Sequence, residues 1–286
     1  MIPATGERIL LATDLDRTLL PNGAQAESPE ARPRFRRLAA RPEVVLAYVT
    51  GRHRALVEQA IADYGLPTPD FVIGDVGASL YAVRGRTWTH RADWQARIAG
   101  DWEGRTRADL ARALADLGGL RLQEPEKQAP LKLSYYAEAL ADPAELLAAV
   151  RARLRATGAA CHLIWSIDET TATGLLDLLP AGASKLHALR FLGEDLGIPL
   201  LDTVFAGDSG NDMEVLESEI PSVLVANAES GVRAMAVERA RSLGHSAALY
   251  LATGGMGGMN GCYSAGILEG LAHFIPRSLD WREVLA

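Results

Sequence analysis

Short apolar runs that stop at polar or glycine-containing turns recur along this chain. Residues 8–13 (RILLAT) end at an acidic turn and 43–49 (EVVLAYV) at Thr50-Gly51-Arg52, while 70–74 (DFVIG), 202–206 (DTVFA) and 222–226 (SVLVA) repeat the form. Runs of this length and residue type predict buried strands. Helical segments lie between them, among them 53–64 and 184–196, the second followed by Gly197 and Pro199 as stop signals. Strand alternating with helix predicts parallel βαβ units with right-handed crossovers. The result is a doubly wound sheet whose ligands sit beyond the carboxyl ends of its strands. The acidic turn and the Thr50 turn both fall at that edge.

The middle of the chain reads differently. Two helical stretches, about 92–117 and 142–157, accompany extended runs at 131–137 (LKLSYYA), 160–167 (ACHLIWSI) and 174–179 (GLLDLL). This predicts a separate α+β insert at 83–180 within a core made of 1–82 and 181–286. Trp88, Trp94, Trp102 and Trp165 fall inside the insert, where a small domain uses aromatics for its own packing. Thr253–Gly261 (TGGMGGMNG) is too rich in glycine for a helix or central strand and is expected to be a mobile loop, either passive or closing over a ligand.

Composition narrows the classes. The chain has 286 residues, 48% apolar and 23% charged, which excludes disorder, collagen-like repeats and coiled coil as the main architecture. Its formal net charge of −7 argues against a broad nucleic-acid-binding face, so an anionic substrate needs a local positive pocket. No apolar run reaches the length of a membrane span, and Asp14 and Asp16 interrupt the first one too early for a signal peptide. The expected compartment is therefore the cytoplasm, with no membrane or nucleic-acid partner. Cys161 and Cys262 are about a hundred residues apart, which gives neither a disulfide framework nor a zinc site.

Candidate chemistry begins at Asp14-Leu15-Asp16-Arg17-Thr18, directly after the first strand. Alternation along extended chain puts Asp14 and Asp16 on one side. Paired carboxylates repel unless a cation or a shared proton relieves them, although alone such a turn is equally a solvated strand end. A second acidic cluster, Gly207-Asp208-Ser209-Gly210-Asn211-Asp212, follows another strand. Read alone it is an Asx-rich turn capping a helix. In one parallel sheet both clusters meet at the same edge, where Asp14, Asp16, Asp208 and Asp212 come within reach of one hard cation, which argues for Mg2+. Thr50 and Gly51 bring a hydroxyl and backbone N–H groups to that edge, suited to phosphate oxygens. Lys185 opens another helix and supplies a compact positive charge.

With these residues in order, the sequence resembles the haloacid dehalogenase superfamily, mostly phosphatases: DLDRT at 14–18, Thr50, Lys185 and GDSGND at 207–212 are similar to its four motifs. The resemblance implies a Rossmann-like core with an inserted cap. It further implies Asp14 as nucleophile, Asp16 as general acid and base, and Thr50 and Lys185 as phosphate holders. The implied Mg2+ ligands are Asp14, Asp208 and the backbone carbonyl of Asp16, with Asp212 a ligand or a partner behind one. Acting as an acid, Asp16 would need a pKa raised above the free value. Only 31 residues separate Thr18 from Thr50, whereas 134 separate Thr50 from Lys185, so the cap falls in the second interval, as in the type IIB sugar phosphatases.

Within that group LAYVTGR, LKLSYY, DLLPAGASK, AGDSGND and AGILEGLAHF resemble the sucrose-6-phosphate phosphatases. That likeness implies sucrose 6-phosphate or another glycosyl phosphate, such as mannosylfructose-phosphate, as substrate, and a sucrose-phosphate synthase-like enzyme in the same pathway. It also implies that Lys132 and Asn211 face the ligand and that Gly77 and Ser79 lie near the cap hinge. Leu186 departs from the group, which carries Gly after the third-motif lysine. Two other enzyme classes fit poorly: a dehalogenase has no alkoxide for Asp16 to protonate, and a phosphomutase of this kind carries its cap between the first two motifs. A catalytically silent sugar-phosphate sensor would be expected to have lost one of these residues, and all are present.

Overall fold

The five apolar runs form the centre of one sheet. The computed structural model describes residues 8–137, 143–168, 173–276 and 280–285; residues 1–7 of the opening segment and residue 142 of the expected 142–157 helix lie outside the described residues. In chain order the elements begin with β1 (Ile9–Thr13), α1 (Ala31–Ala39), β2 (Val44–Val49), α2 (Arg54–Tyr64), β3 (Phe71–Gly74), β4 (Ser79–Arg84) and β5 (Thr87–His90). The middle contains α3 (Ala92–Ala99), α4 (Arg107–Leu114), β6 (Leu120–Leu122), β7 (Leu133–Ala137), α5 (Pro143–Thr157), β8 (Cys161–Asp168) and β9 (Thr173–Pro180). The chain then runs through α6 (Lys185–Leu196), β10 (Thr203–Gly207), α7 (Met213–Leu216), β11 (Ser222–Leu224), α8 (Ser230–Ser242), β12 (Leu249–Leu251), α9 (Ser264–Phe274) and α10 (Trp281–Leu285).

Eight strands make a sheet in the order β12-β11-β10-β1-β2-β3-β4-β5, parallel from β12 to β3. Alternation sends Ile9 and Leu11 of β1 to one helical layer, with Phe35 of α1 and Ile267 of α9. Leu10 and Ala12 go to the other, with Leu189 and Leu192 of α6. A strand covered on both faces must be apolar throughout, which is why β1 and β2 read as unbroken runs. β1 lies between β2 and β10, with Thr13 opposite both Tyr48 and Ala206. The turns at Asp14, Thr50 and Asp208 therefore leave the sheet side by side.

A second sheet, antiparallel in the order β6-β7-β9-β8, packs α4 and α5 on one face around Trp102, Leu133, Tyr135, Val150 and Leu176. The large sheet runs past residue 82, because β4 turns back into β5 as an antiparallel hairpin. Helix α3 also packs with the large sheet, burying Trp94 and Ile98 beside Leu189. The tryptophans are thus shared, Trp102 and Trp165 with the small sheet and Trp94 and Trp88 with the large one. The expected helix 92–117 is two helices. Gly104 takes a positive φ of 77° between them, and Thr106 and Asp109 form a capping box that starts α4 anew.

The glycine-rich stretch, expected to be a loop, is one, and it is anchored at its base. Buried Glu269 on α9 accepts hydrogen bonds from the N–H groups of Thr253 and Gly254 and from the Tyr250 hydroxyl, which ties down the base of the loop. Arg34 donates to the carbonyl of Gly257 at its tip. Neither cysteine is in a disulfide. Among the described residues no helix is long and apolar enough to cross a membrane.

Candidate active site

Three strand ends supply the site. Asp14, Asp208 and Asp212 are buried, and each offers a carboxylate oxygen within 4.8 Å of the others. Lys185, at the start of α6, threads between them: its Nζ donates to Asp14 Oδ1 at 2.9 Å, Asp212 Oδ1 at 2.7 Å and Asn211 Oδ1 at 2.9 Å. Segments 171 residues apart thus converge on one ammonium group. Asp208 Oδ1 accepts from Thr18 Oγ1 at 3.1 Å, whereas its buried Oδ2 has no hydrogen-bond partner among the described residues. An oxygen left over in this way, next to two more carboxylates, suits a hard divalent cation.

Asp212 also does what an Asx turn would do. Its Oδ2 accepts from the backbone N–H groups of Asp208 and Ser209 at 3.1 and 3.2 Å, folding the carboxylate back over Gly207. A Cβ on Gly207 would lie 2.6 Å from that carboxyl, so the glycine is required. Both oxygens of Asp212 are engaged, which suits it better to orienting Asp208 and Lys185 than to holding an ion directly.

The titration of these groups follows from burial. Loss of water is the largest influence on Asp14 and lifts it; Lys185 opposes, Asp212 and Asp208 add, and the net result is a pKa of about 8. Asp208 is raised to about 6, by burial first and then by Asp212. Burial alone would lower Lys185, but the charges of Asp14 and Asp212 outweigh it and hold the ammonium above its ordinary range. Lys185 between Asp14 and Asp212, with Arg17 reaching only Asp208 of the three, does not offset burial and mutual repulsion, so Asp14 and Asp208 are held toward their protonated forms.

A carboxylic acid whose folded pKa is raised contributes stability below its unfolded pKa, 3.8 for both aspartates, and loses that contribution as pH climbs through the folded value. Metal-free protein is accordingly expected to melt progressively lower as pH rises from about 5 to 8.5. Saturating Mg2+ should flatten that slope by binding the ionised carboxylates, and melting curves with and without the ion measure it.

Asp16 departs from expectation. Burial pushes its pKa up, but the Arg52 hydrogen bonds and charge, helped by Asn22, outweigh burial and hold it below the usual carboxylate value. Arg52 grips it with two bonds, Nε to Oδ2 at 2.7 Å and Nη2 to Oδ1 at 2.6 Å, and Asn22 Nδ2 donates to Oδ1 at 2.7 Å. The side chain of Asp16 is 42% exposed and outside the group of three carboxylates. A guanidinium fork favours the ionised form, which the acidic neighbours alone did not foretell. Arg52 itself was legible only as the last residue of Thr50-Gly51-Arg52. Thr50 is buried, and its Oγ1 accepts from the Arg52 N–H at 3.2 Å.

Lys132 is also placed differently from expectation. It is buried, with Nζ 3.7 Å from Asp75 Oδ1 on the large-sheet side and 3.6 Å from Asp177 Oδ2 on the small sheet. It ties the two sheets together and is not among the residues lining the cleft. Ser79 donates to Asp75 Oδ2 at 2.8 Å. Asp75, Val76 and Gly77 all take positive φ, a strained path for the first two. The path brings Gly77 against α6, where a Cβ would lie 2.3 Å from the carbonyl carbon of Ser184 and 2.9 Å from the Lys185 nitrogen. Gly77→Ala is expected to lower Tm by about 2–5 °C, from a strain of about 1–3 kcal/mol. By shifting Lys185 it should also lower kcat more than it raises KM; a thermal melt and steady-state kinetics check both.

A cavity of about 240 Å3 lies between β8 of the small sheet, with His162, Leu163, Ile164 and Trp165, and Val76, Ser184, Lys185, Gly210, Asn211 and Glu214. Of the sequence candidates, Lys185 and Asn211 therefore face this cleft. His162, Trp165 and Glu214 were not foreseen, since a strand or helix residue carries no sign of which sheet it will face. A larger cavity of about 370 Å3, lined by Trp94, Arg97, His187 and Phe191 among others, touches none of the carboxylates. Leu186, where the resembled group has Gly, packs against the core layer around α6.

Over residues 7–275 the chain matches the family described as Sucrose-6F-phosphate phosphohydrolase. It is similar to a HAD-like hydrolase of Nitrosococcus oceani, 54% identical over 97% of this chain and 74% of that protein. The mannosylfructose-phosphate phosphatase of Agrobacterium fabrum is 34% identical over 77% of this chain and 83% of its own length. Among solved structures, the sucrose-phosphatase from Synechocystis sp. PCC6803 in complex with sucrose and phosphate has a TM-score of 0.72 at 26% identity, covering 93% of this chain and 98% of that one. The chain spans 51% of the length of the tobacco sucrose-phosphatases it also matches.

Proposed function

Because this chain belongs to the Sucrose-6F-phosphate phosphohydrolase family, and is thus a phosphoric monoester hydrolase with a capped haloacid dehalogenase fold, we propose that it hydrolyses sucrose 6-phosphate to sucrose and phosphate with Mg2+. One observation carries the reading: Asp14, Asp208 and Asp212 present oxygens within 4.8 Å of one another around Lys185, whose side chain is bonded to Asp14 and Asp212 and which also lines a cleft roofed by β8. In this reading Asp14, Asp208 and the Asp16 carbonyl hold Mg2+, which supplies charge neutralisation at the phosphoryl oxygens. The residues between 83 and 180 that carry the small sheet act as the cap.

The remaining steps belong to the side chains. Lys185 and Thr50 hold phosphate oxygens and Gly51 adds its N–H. Asp14 Oδ attacks phosphorus in line, forming an aspartyl-phosphate and breaking the bond to the sugar oxygen. Asp16, ionised while Arg52 holds it, leaves Arg52 and takes up a proton from solvent as substrate binds, delivers that proton to the departing alkoxide, and later takes one from the water that hydrolyses the intermediate. Asn211 holds Lys185 in place, and Lys132 holds the cap to Asp75. A sucrose-phosphate synthase-like enzyme would supply the substrate, with both enzymes in the cytoplasm.

The 34% identity to the mannosylfructose-phosphate phosphatase favours that disaccharide phosphate as the second reading. Phosphate release from sucrose 6-phosphate, mannosylfructose-phosphate, trehalose 6-phosphate and glucosylglycerol-phosphate, with Mg2+, decides between them. Sucrose 6-phosphate is expected to lead in kcat/KM by at least about tenfold, the worth of roughly one net hydrogen bond of about 1.4 kcal/mol. Leadership by mannosylfructose-phosphate would install the second reading, and no release from any substrate would overturn both.

A further inference from the structure

Arg17 interrupts the acidic turn with a cation whose backbone is fixed on both sides. It takes a left-handed φ of 58°, uncommon for a residue with a Cβ. Its N–H donates to Asn22 Oδ1 at 2.7 Å and its carbonyl accepts from Asn227 Nδ2 at 2.6 Å. The side chain is thereby laid along Asp208, with Nε 3.5 Å from Asp208 Oδ2. Both atoms are buried and neither has a hydrogen-bond partner among the described residues, so the pair is held by charge and not by a good donor geometry. The outer end of the guanidinium reaches Glu229 Oε1 at 3.4 Å, where Glu229 is 66% exposed.

We infer that Arg17 is a built-in competitor of the divalent cation. Its guanidinium lies against the one free oxygen of Asp208 and weakens metal binding there, and Glu229 sets the strength of that competition by drawing the guanidinium outward. Two positive charges cannot share a single carboxylate oxygen without repulsion that is large at this range and weakly screened in a buried site. An ion entering the site must push the Arg17 side chain toward Glu229, so the affinity for metal depends on a residue that does not bind it. The inference rests on the reading of Asp208 as a metal ligand.

Calorimetric titration of the full chain with Mg2+ alone, without substrate, tests it. Arg17→Gln is expected to lower Kd by about tenfold, the size of a charge repulsion of roughly 1.4 kcal/mol, whereas Arg17→Lys, which keeps the charge, should stay within about twofold of wild type. Glu229→Gln should raise Kd, and that rise should vanish when Arg17 is already Gln. A merely structural role for Arg17 would loosen the metal on substitution, so an unchanged or higher Kd in Arg17→Gln overturns the inference. A rise from Glu229→Gln that survives in the double variant also overturns it, by assigning the effect to surface charge in general. Asp208→Asn separates the two levels: if it binds Mg2+ as tightly as wild type, the ligand assignment underneath has failed, and not the competition alone.

Discussion

Replacing Asp14 by Asn lowers turnover by about four to six orders of magnitude, the range seen when a covalent nucleophile is removed and only binding and charge stabilisation remain. The fold survives the change. Asn keeps the shape of the side chain, and Lys185 retains Asp212 Oδ1 at 2.7 Å and Asn211 Oδ1 at 2.9 Å. The variant also removes a carboxyl that is 4% exposed and whose burial raises its pKa, a site that costs stability when charged. Tm is therefore expected to stay within about 4 °C of wild type. Phosphate release and a thermal melt on the same preparation check the two halves, and activity near wild type would mean that another group attacks phosphorus.

Chelation of the divalent cation has the second largest effect. A phosphate dianion approaching an ionised Asp14 meets like charge at about 4 Å, on the order of 4 kcal/mol per charge pair at an effective dielectric near 20. Lys185 is already shared between Asp14 and Asp212, and the other nearby cation, Arg17, reaches only Asp208 of the three, so neither is free to neutralise the incoming phosphate at Asp14. Removing the metal is expected to lower kcat by about a thousandfold or more, and Mg2+ add-back to restore it. Low pH should reduce the apparent affinity for Mg2+, because protons on Asp14 and Asp208, with pKa values raised to about 8 and about 6, compete for the same oxygens. Activity that persists after exhaustive chelation would remove the metal from the mechanism.

Sequence pattern was informative where physics forces uniformity and silent where it allows choice. A strand covered on both faces must be apolar along its length, so β1, β2, β3, β10 and β11 were legible, and parallel pairing then sends their carboxyl ends to one edge. The catalytic candidates Asp14, Thr50, Lys185, Asp208 and Asp212 were legible for the same reason, since each stands just beyond a strand or opens the helix of the next unit. Pairings made by long side chains across loops were not. Arg52 takes hold of Asp16, and Lys132 turns to Asp75 and Asp177, because a flexible charged side chain follows whichever opposite charge the tertiary fold brings near. Boundaries failed where a local signal was outvoted, as at β5, which the hairpin with β4 draws into the large sheet. The anchor of the glycine-rich loop is not legible in the sequence, because Glu269 lies on a helix eight residues beyond its last glycine and meets the loop only when folded.

The central claim is that the turn after β1 and the turn after β10 close around one cation and one transferring phosphoryl group. A crystal structure with Mg2+ and beryllium fluoride tests it most directly. The account predicts a trifluoroberyllate on an Asp14 oxygen and an ion at about 2.1 Å from carboxylate oxygens of Asp14 and Asp208, with Lys185 turned toward the fluorides. An adduct on another residue, or an ion bound away from Asp14 and Asp208, would contradict it.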